Sequence, residues 1–275
     1  MHIDSYFSIS NSDLDDAEYV IFGIPYDATQ SFKPGSRFAP NAVREASWNL
    51  ESYSTYFDFD LSLVKTCDAG NVNCDGSFED IVKKVGKFTA KIDAFPIALG
   101  GEHTVSFAAS QNFDNVCYVV FDAHFDLRDE FDGIKYNHAC TIRRVLESGR
   151  NVVILGVRSG TREEKDFARD KGIKWLYSWE YTVEEALNLV KSHERIYLSL
   201  DMDVFDPSFA PGVSTPEPLG LNPFDFLHFV EKIASRLVGF DICEIVPDPC
   251  KITQTLAAKL IFEVIAARAA REKNK

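Results

Sequence analysis

The sequence predicts an α/β fold, a three-layer α/β/α sandwich built on a mostly parallel sheet of about eight strands. Two observations predict it. Short apolar runs rich in β-branched residues alternate with longer amphipathic stretches along the chain, which is the pattern of repeated strand–helix units. The apolar runs are also continuous rather than alternating with polar residues, as expected for parallel strands covered by helices on both faces.

The strands are predicted where short apolar runs are bounded by turn or helix signals. In chain order they cover residues 19–25, 63–68, 95–100, 116–122, 151–157, 173–178, 195–201 and 237–245. The run at 63–68 is the weakest of them because it is the least apolar. This regular spacing favours one continuous sheet.

The helices are predicted between the strands, where apolar residues recur with helical spacing. They cover residues 41–53, 77–93, 103–111, 138–149, 162–172, 182–193, 222–236 and 252–272. Ser77, with Asp80 three residues later, is predicted to cap the second helix, and Gly149 to end the fourth. No linker, repeat or low-complexity segment interrupts the series, so a single domain over residues 1–275 is predicted.

Composition and charge restrict the possible partners. The 275 residues are 45% hydrophobic and 26% charged, with a formal net charge of −13. No basic stripe is present, which argues against a nucleic-acid partner. The six cysteines form no C-x-x-C pair, no secretory signal opens the chain, and no apolar run has the length of a membrane span. We therefore expect a cytoplasmic protein with reduced thiols and no membrane partner.

Ionisable residues follow four of the predicted strands. In order along the chain they are His103, Asp122, His124, Asp126, Asp201, Asp203 and Glu244. Because the carboxyl ends of parallel strands meet at one edge of a sheet, these side chains are expected to converge there. If the backbone stays extended after residue 121, Asp122, His124 and Asp126 face one side.

Carboxylates gathered at strand ends repel one another unless a cation lies among them. The candidate metal ligands are His103, Asp122, His124, Asp126, Asp201 and Asp203. Six ligands exceed the four positions that one zinc ion takes, so two ions are predicted. A set rich in oxygen with two imidazoles favours manganese.

Several segments resemble the ureohydrolases, the family of arginases and agmatinases. They are KPGSRFAPNAVREAS (33–47), GGEHTVS (100–106), FDAHFD (121–126), SLDMDVFDPSFAPGVSTPEP (199–218) and DICEIVPD (241–248). The likeness extends over nearly the whole chain. One departure is Glu102, where many members of the family have Asp.

The resemblance implies an arginase-like fold, two Mn²⁺ ions per chain and hydrolysis of a guanidino group to urea and an amine. It also implies that one ion is held by His103, Asp122, Asp126 and Asp201, and the other by Asp122, His124, Asp201 and Asp203. Glu244 matches the acid that binds the guanidinium group, and His138 the catalytic histidine. A homo-oligomer, either a trimer or a hexamer, is expected from the same resemblance.

A guanidinium group is a poor electrophile, so the expected chemistry needs an activated water molecule and a route for protons. Asp126 is predicted to relay a proton from the attacking water to the departing amine, and His138 to exchange a proton with bulk water. The acidic site suits a small cationic guanidino substrate, which Glu244 would bind.

The loop between Asp126 and His138 bears on the substrate. If Asp129, Glu130 and Asp132 line the mouth of the site, they repel the carboxylate of arginine and favour an amine-tailed guanidine. We therefore predict hydrolysis of agmatine to putrescine and urea, a step of polyamine biosynthesis. Aminopropylagmatine, guanidinobutyrate, arginine and formiminoglutamate remain open as substrates.

Three other functions compete with this prediction. A deacetylase on the same fold would bind a single zinc ion and would not need His103. A metallophosphoesterase would need a G-D-x-x-D segment between its D-x-H and N-H pairs, and that segment is absent. A non-catalytic guanidine-binding protein would not need the full ligand set together with His138.

Overall fold

The computed structural model describes residues 5–273, and eight of the strands there form one sheet in which every neighbouring pair is parallel. The strands are β1 (Tyr19–Ile24), β2 (Tyr53–Ser54), β3 (Phe59–Asp60), β4 (Thr66–Asn71), β5 (Phe95–Gly100), β6 (Cys117–Phe121), β7 (Asn151–Val157), β8 (Lys174–Tyr177), β9 (Ile196–Asp201) and β10 (Leu237–Cys243). The order across the sheet is β4-β1-β5-β10-β9-β6-β7-β8, while β2 and β3 form a separate antiparallel pair.

Helices cover both faces of this sheet. They are α1 (Ala39–Ser47), α2 (Phe78–Thr89), α3 (Thr104–Ser110), α4 (Thr141–Glu147), α5 (Arg162–Asp170), α6 (Val183–Val190), α7 (Pro223–Ile233) and α8 (Ile252–Lys273). Apolar side chains of α1, α6, α7 and α8 share one buried core, and those of α2, α3, α4 and α5 share another. The predicted three-layer sandwich is therefore confirmed.

Burial explains why these runs form a parallel sheet. Every residue of β1, β5, β6 and β9 is buried, so these strands have apolar neighbours on both faces. Burial of this kind is the main stabilising contribution to the fold. No helix in the described part of the chain has the length and apolar character needed to span a membrane.

Several predicted element boundaries are wrong, and the strand predicted over 63–68 lies instead at Thr66–Asn71. The helix predicted over 41–53 ends at Ser47, because a turn follows and the chain enters β2 at Tyr53. The helix predicted over 138–149 begins only at Thr141. His138 instead opens a 3₁₀ turn, and the Asn137 side chain caps that turn by accepting a hydrogen bond from the Ala139 N–H.

The four middle strands of the sheet are β5, β10, β9 and β6. His103 lies just beyond β5, Glu244 directly follows β10, Asp201 is the last residue of β9, and Asp122 directly follows β6. The sequence predicted that these side chains would meet at one edge of the sheet. These side chains do meet there, because the four strands that carry them are neighbours in the sheet.

Candidate active site

Three carboxylates surround the Nδ1 atom of His103. The Oδ2 atoms of Asp126, Asp122 and Asp201 lie 2.8, 3.1 and 3.5 Å from it. All four side chains are buried. A single ring nitrogen can hydrogen-bond only one of these oxygens, so the remaining carboxylates need another positive partner. This donor set fits a divalent metal ion.

A second group of ligands lies beside the first. The Nδ1 atom of His124 lies 3.1 Å from Asp203 Oδ2 and 3.5 Å from Asp122 Oδ1. Asp122 therefore presents one oxygen to each histidine, as a bridging ligand would. The six residues predicted to bind metal are thus brought together, in two groups that share Asp122.

Asp201 lies with the first group, where its carboxylate and His103 adjoin the thiol of Cys243. The Sγ atom of Cys243 is 3.8 Å from Asp201 Oδ2. No sequence pattern distinguishes this cysteine from the other buried thiols. The role of Asp201 as a second bridging ligand stays a prediction.

Turns, rather than extended strands, aim the aspartates. The carboxylate of Asp122 accepts the N–H of His124 at 2.6 Å, and that of Asp201 accepts the N–H of Asp203 at 3.0 Å. Asp126 has a left-handed backbone with φ of 47°. The expectation of an extended backbone over 122–126 is therefore wrong: β6 ends one residue before Asp122, and the side chains converge through these local hydrogen bonds.

The electrostatics of the two groups indicate an excess of negative charge. Burial and the charge of Asp122 raise the pKa of Asp126 to about 7. Burial and the charge of Asp203 raise the pKa of Asp201 well above its ordinary value. Burial opposes protonation of His103, but hydrogen bonds to Asp122 and Asp126 raise its pKa well above the usual range. A divalent cation would favour the ionised carboxylates and displace the imidazole proton.

Glu244 lies beside the candidate metal ligands with its backbone in the left-handed region, at φ of 64°. Its side chain is buried, and burial is the main cause that raises its pKa to about 8. One oxygen accepts the N–H of His103 at 2.6 Å, and the other accepts a hydrogen bond from the Gln30 side chain. Left-handed backbone at both Asp126 and Glu244 concentrates strain at this site, as is common in functional sites.

His138 lies at the same cavity as Asp126 and Glu244. Its Nδ1 atom is 3.2 Å from the hydroxyl of Thr29, and its Nε2 atom is 3.2 Å from the hydroxyl of Ser31. Burial lowers its pKa to about 4. This lowered pKa favours the neutral ring, which has one ring nitrogen free to accept a proton.

The loop after β1 contributes residues that the sequence reasoning missed. Thr29 and Ser31 contact His138, and Gln30 contacts Glu244. One sequence signal could have identified them, namely the position of this polar segment directly after β1. Because β1 is parallel to β5 and lies beside it, the residues after β1 lie at the same edge of the sheet as the site. The segments that resemble the ureohydrolases begin at residue 33, just after these three residues.

A cavity of about 240 Å³ opens onto the two groups of ligands. Its outer lining includes Arg128, Phe131, Ser159, Thr161 and Glu164. Arg128 packs over the ring of Phe131, with its guanidinium 4.8 Å from the ring centre, and pairs with Glu164 at 3.8 Å. The wall of the cavity is thus partly apolar, and the cation Arg128 in this wall already has Glu164 as its anionic partner.

The three acids of the loop between Asp126 and His138 do not line this cavity as the sequence suggested. Asp129 turns away towards α4, where its carboxylate lies 3.0 Å from Arg144 and 3.6 Å from Arg143. Neither Glu130 nor Asp132 is among the residues that line the cavity. The expectation that these acids line the mouth of the site is therefore wrong, because two arginines of α4 attract the first of them.

Comparison with known proteins shows similarity over nearly the whole chain. The family model described as "Arginase family" matches residues 17–267. An agmatinase of Pyrococcus horikoshii is 43% identical over 266 residues, and the match covers 94% of each chain. An N(1)-aminopropylagmatine ureohydrolase of Thermococcus kodakarensis is 38% identical, with 92% of this chain and 91% of the relative covered. The crystal structure of an agmatine ureohydrolase of Thermoplasma volcanium is similar with a TM-score of 0.93 at 34% identity, covering 100% of this chain and 97% of that one.

Proposed function

Because this chain belongs to the arginase family, we propose that it hydrolyses the guanidino group of agmatine to urea and putrescine. The observation that carries the proposal is a cluster of six potential metal ligands beside a cavity that Glu244 and His138 also line. Each of these groups can contribute to the attack of water on a guanidinium carbon, by holding metal ions, by binding the guanidinium group or by exchanging a proton. Relatives named agmatinase support the choice of agmatine.

We assign the metal ligands as two groups. The first comprises His103, Asp122, Asp126 and Asp201, and the second Asp122, His124, Asp201 and Asp203. Two divalent ions bound there would make water nucleophilic at neutral pH and balance the four aspartates. The preference for manganese rests on the many oxygen donors and two imidazoles.

Glu244 is the proposed acceptor for the guanidinium group. Each of its two oxygens accepts one hydrogen bond, from the His103 N–H and from Gln30. A carboxylate oxygen can accept a second hydrogen bond, so a guanidinium ion would bind Glu244 through both oxygens, and such bidentate pairs are strong and directional. If two divalent ions balance the negative charge of the four aspartates, the remaining charge of Glu244 makes the site select a cationic substrate.

The proton steps follow from the same side chains. Asp126 accepts a proton from the water molecule that attacks the guanidinium carbon and gives it to the amine nitrogen as the C–N bond breaks. His138 exchanges a proton with bulk water through the cavity. The cationic guanidine and water are thereby converted to neutral urea and an alkylammonium ion, so atoms and charge balance.

Aminopropylagmatine is the second candidate substrate, because the Thermococcus kodakarensis relative is named for it. It presents the same guanidinium group to Glu244 and adds a longer amine tail. Arginine is expected to be poor. Arg128, the cation among the described residues that line the cavity, is already paired with Glu164, so the carboxylate of arginine lacks a free partner.

A substrate panel tests the proposal. Protein loaded with Mn²⁺ is assayed for urea from agmatine, aminopropylagmatine, guanidinobutyrate and arginine, and for formamide from formiminoglutamate. We expect kcat/KM for agmatine to exceed that for arginine by roughly a hundredfold, as for about 3 kcal/mol of unpaired charge. Equal values would contradict the agmatine assignment. One bound zinc per chain without urea release would favour the deacetylase function.

We further propose that the protein is a cytoplasmic homo-oligomer, a trimer or hexamer, whose residues 1–275 form one domain. All six cysteines are free, and four of them are buried, which suits a reducing compartment. Large apolar side chains remain exposed, among them Trp48, Trp179 and Leu219, which supports contacts between subunits.

A further inference from the structure

Glu102 is a fully buried carboxylate that belongs to neither group of metal ligands. It accepts hydrogen bonds from the Thr29 N–H at 2.8 Å, the Thr29 hydroxyl at 2.7 Å and the Thr104 hydroxyl at 2.6 Å. Two of these three donors belong to one residue of the loop after β1. Glu102 therefore fixes both the backbone and the side chain of Thr29.

This contact requires two loops to approach closely. The Glu102 N–H donates to the Tyr26 carbonyl at 2.8 Å. A Cβ atom added at Gly101 would lie 2.0 Å from that carbonyl oxygen. Only glycine at residue 101 lets the turn after β5 lie against the loop after β1, so that Glu102 reaches Thr29.

The Thr29 hydroxyl in turn has every hydrogen-bonding position filled. Its proton goes to Glu102, and its oxygen lies 3.1 Å from the backbone nitrogen of His138 and 3.2 Å from His138 Nδ1. A hydroxyl has one donor and two acceptor positions. Since its donor position serves Glu102, the oxygen can only accept from His138, so Nδ1 must carry the proton.

We infer that Thr29, held by Glu102, is a positioning residue that keeps His138 in the tautomer protonated at Nδ1. The unprotonated Nε2 is then left to face the Ser31 hydroxyl at the cavity, ready to take up a proton. This inference rests on the proposed function, in which His138 exchanges the proton. The opposite tautomer would set the Nδ1 lone pair against the Thr29 oxygen.

The test compares Thr29→Val with Thr29→Ser. Valine has nearly the shape of threonine and keeps the backbone N–H that bonds Glu102, but it lacks the hydroxyl. We expect Thr29→Val to lower kcat for urea release by roughly ten- to hundredfold, less than complete loss of acid–base assistance because His138 itself remains. KM and the metal content should stay unchanged, and Thr29→Ser should retain activity within about threefold. Thr29→Ala serves in the same way if the valine variant fails to fold.

A double variant separates positioning from a general structural role. If Thr29 acts through His138, Thr29→Val should cause no further loss of kcat in a His138→Ala background. The same fractional loss of kcat in both backgrounds would overturn the inference. Equal activity of Thr29→Val and Thr29→Ser would also overturn it. Wild-type protein that releases urea from no guanidine would instead overturn the proposed function.

Discussion

Asp122 is the residue on which both groups of ligands depend, since one of its oxygens faces His103 and the other faces His124. Replacing it with Asn removes a negative charge while keeping the shape. We expect Asp122→Asn to abolish urea release and to leave fewer than two metal ions per chain, because two divalent cations need the bridging charge.

Metal analysis by mass spectrometry checks this prediction. Asp132→Asn is the matched control, because Asp132 is exposed and lies outside the cavity. It should keep two ions and full activity. Full activity and two bound ions in Asp122→Asn would refute the shared ligand, and with it the assignment of two adjacent ions.

His138 differs from the ligands in that its contacts are hydroxyl groups and not carboxylates. We expect His138→Ala to keep both metal ions and to lower kcat by roughly ten- to ten-thousandfold, as for a lost acid–base group. Added imidazole should restore part of the activity. Loss of metal from this variant would make His138 a ligand and would disprove its role in proton exchange.

At the scale of elements, a buried ion pair connects α1 to β4. The Arg44 guanidinium donates to both oxygens of Asp68, at 2.7 and 2.8 Å, and to the Asn71 side chain at 2.6 Å. We expect Arg44→Met to lower the free energy of unfolding by about 3–5 kcal/mol, since it leaves a buried carboxylate unpaired. Chemical denaturation measures this change. Arg169→Met removes only two exposed pairs, with Asp166 and Asp170, and should leave the midpoint nearly unchanged. Equal effects of the two variants would show that the buried pair does not stabilise the fold.

The loop between Asp126 and His138 gives a second prediction for an element. Because Asp129 is held by Arg143 and Arg144 outside the cavity, Asp129→Asn should leave the ratio of kcat/KM for agmatine and arginine within about threefold of the wild type. Parallel assays with the two substrates measure that ratio. A large fall in the ratio would show that the acidic loop does select the substrate.

Across the whole molecule, the sequence predicted what depends on local pattern. Continuous apolar runs predicted the parallel sheet, and residues placed at strand ends predicted the edge where the site lies. Contacts that depend on packing between distant segments were not predictable in this way. Thr29 meets His138 across 109 residues, and Asp129 faces α4 because of arginines whose direction the sequence does not reveal.

The proposed hydrolysis requires two adjacent metal ions at the edge of the sheet beside Glu244. Anomalous diffraction at the manganese absorption edge, from crystals of the Mn²⁺-loaded protein, would locate them. We predict two peaks on either side of the Asp122 carboxylate, one next to His103 and Asp126 and the other next to His124 and Asp203. A single peak, or peaks away from these side chains, would refute the two-metal site.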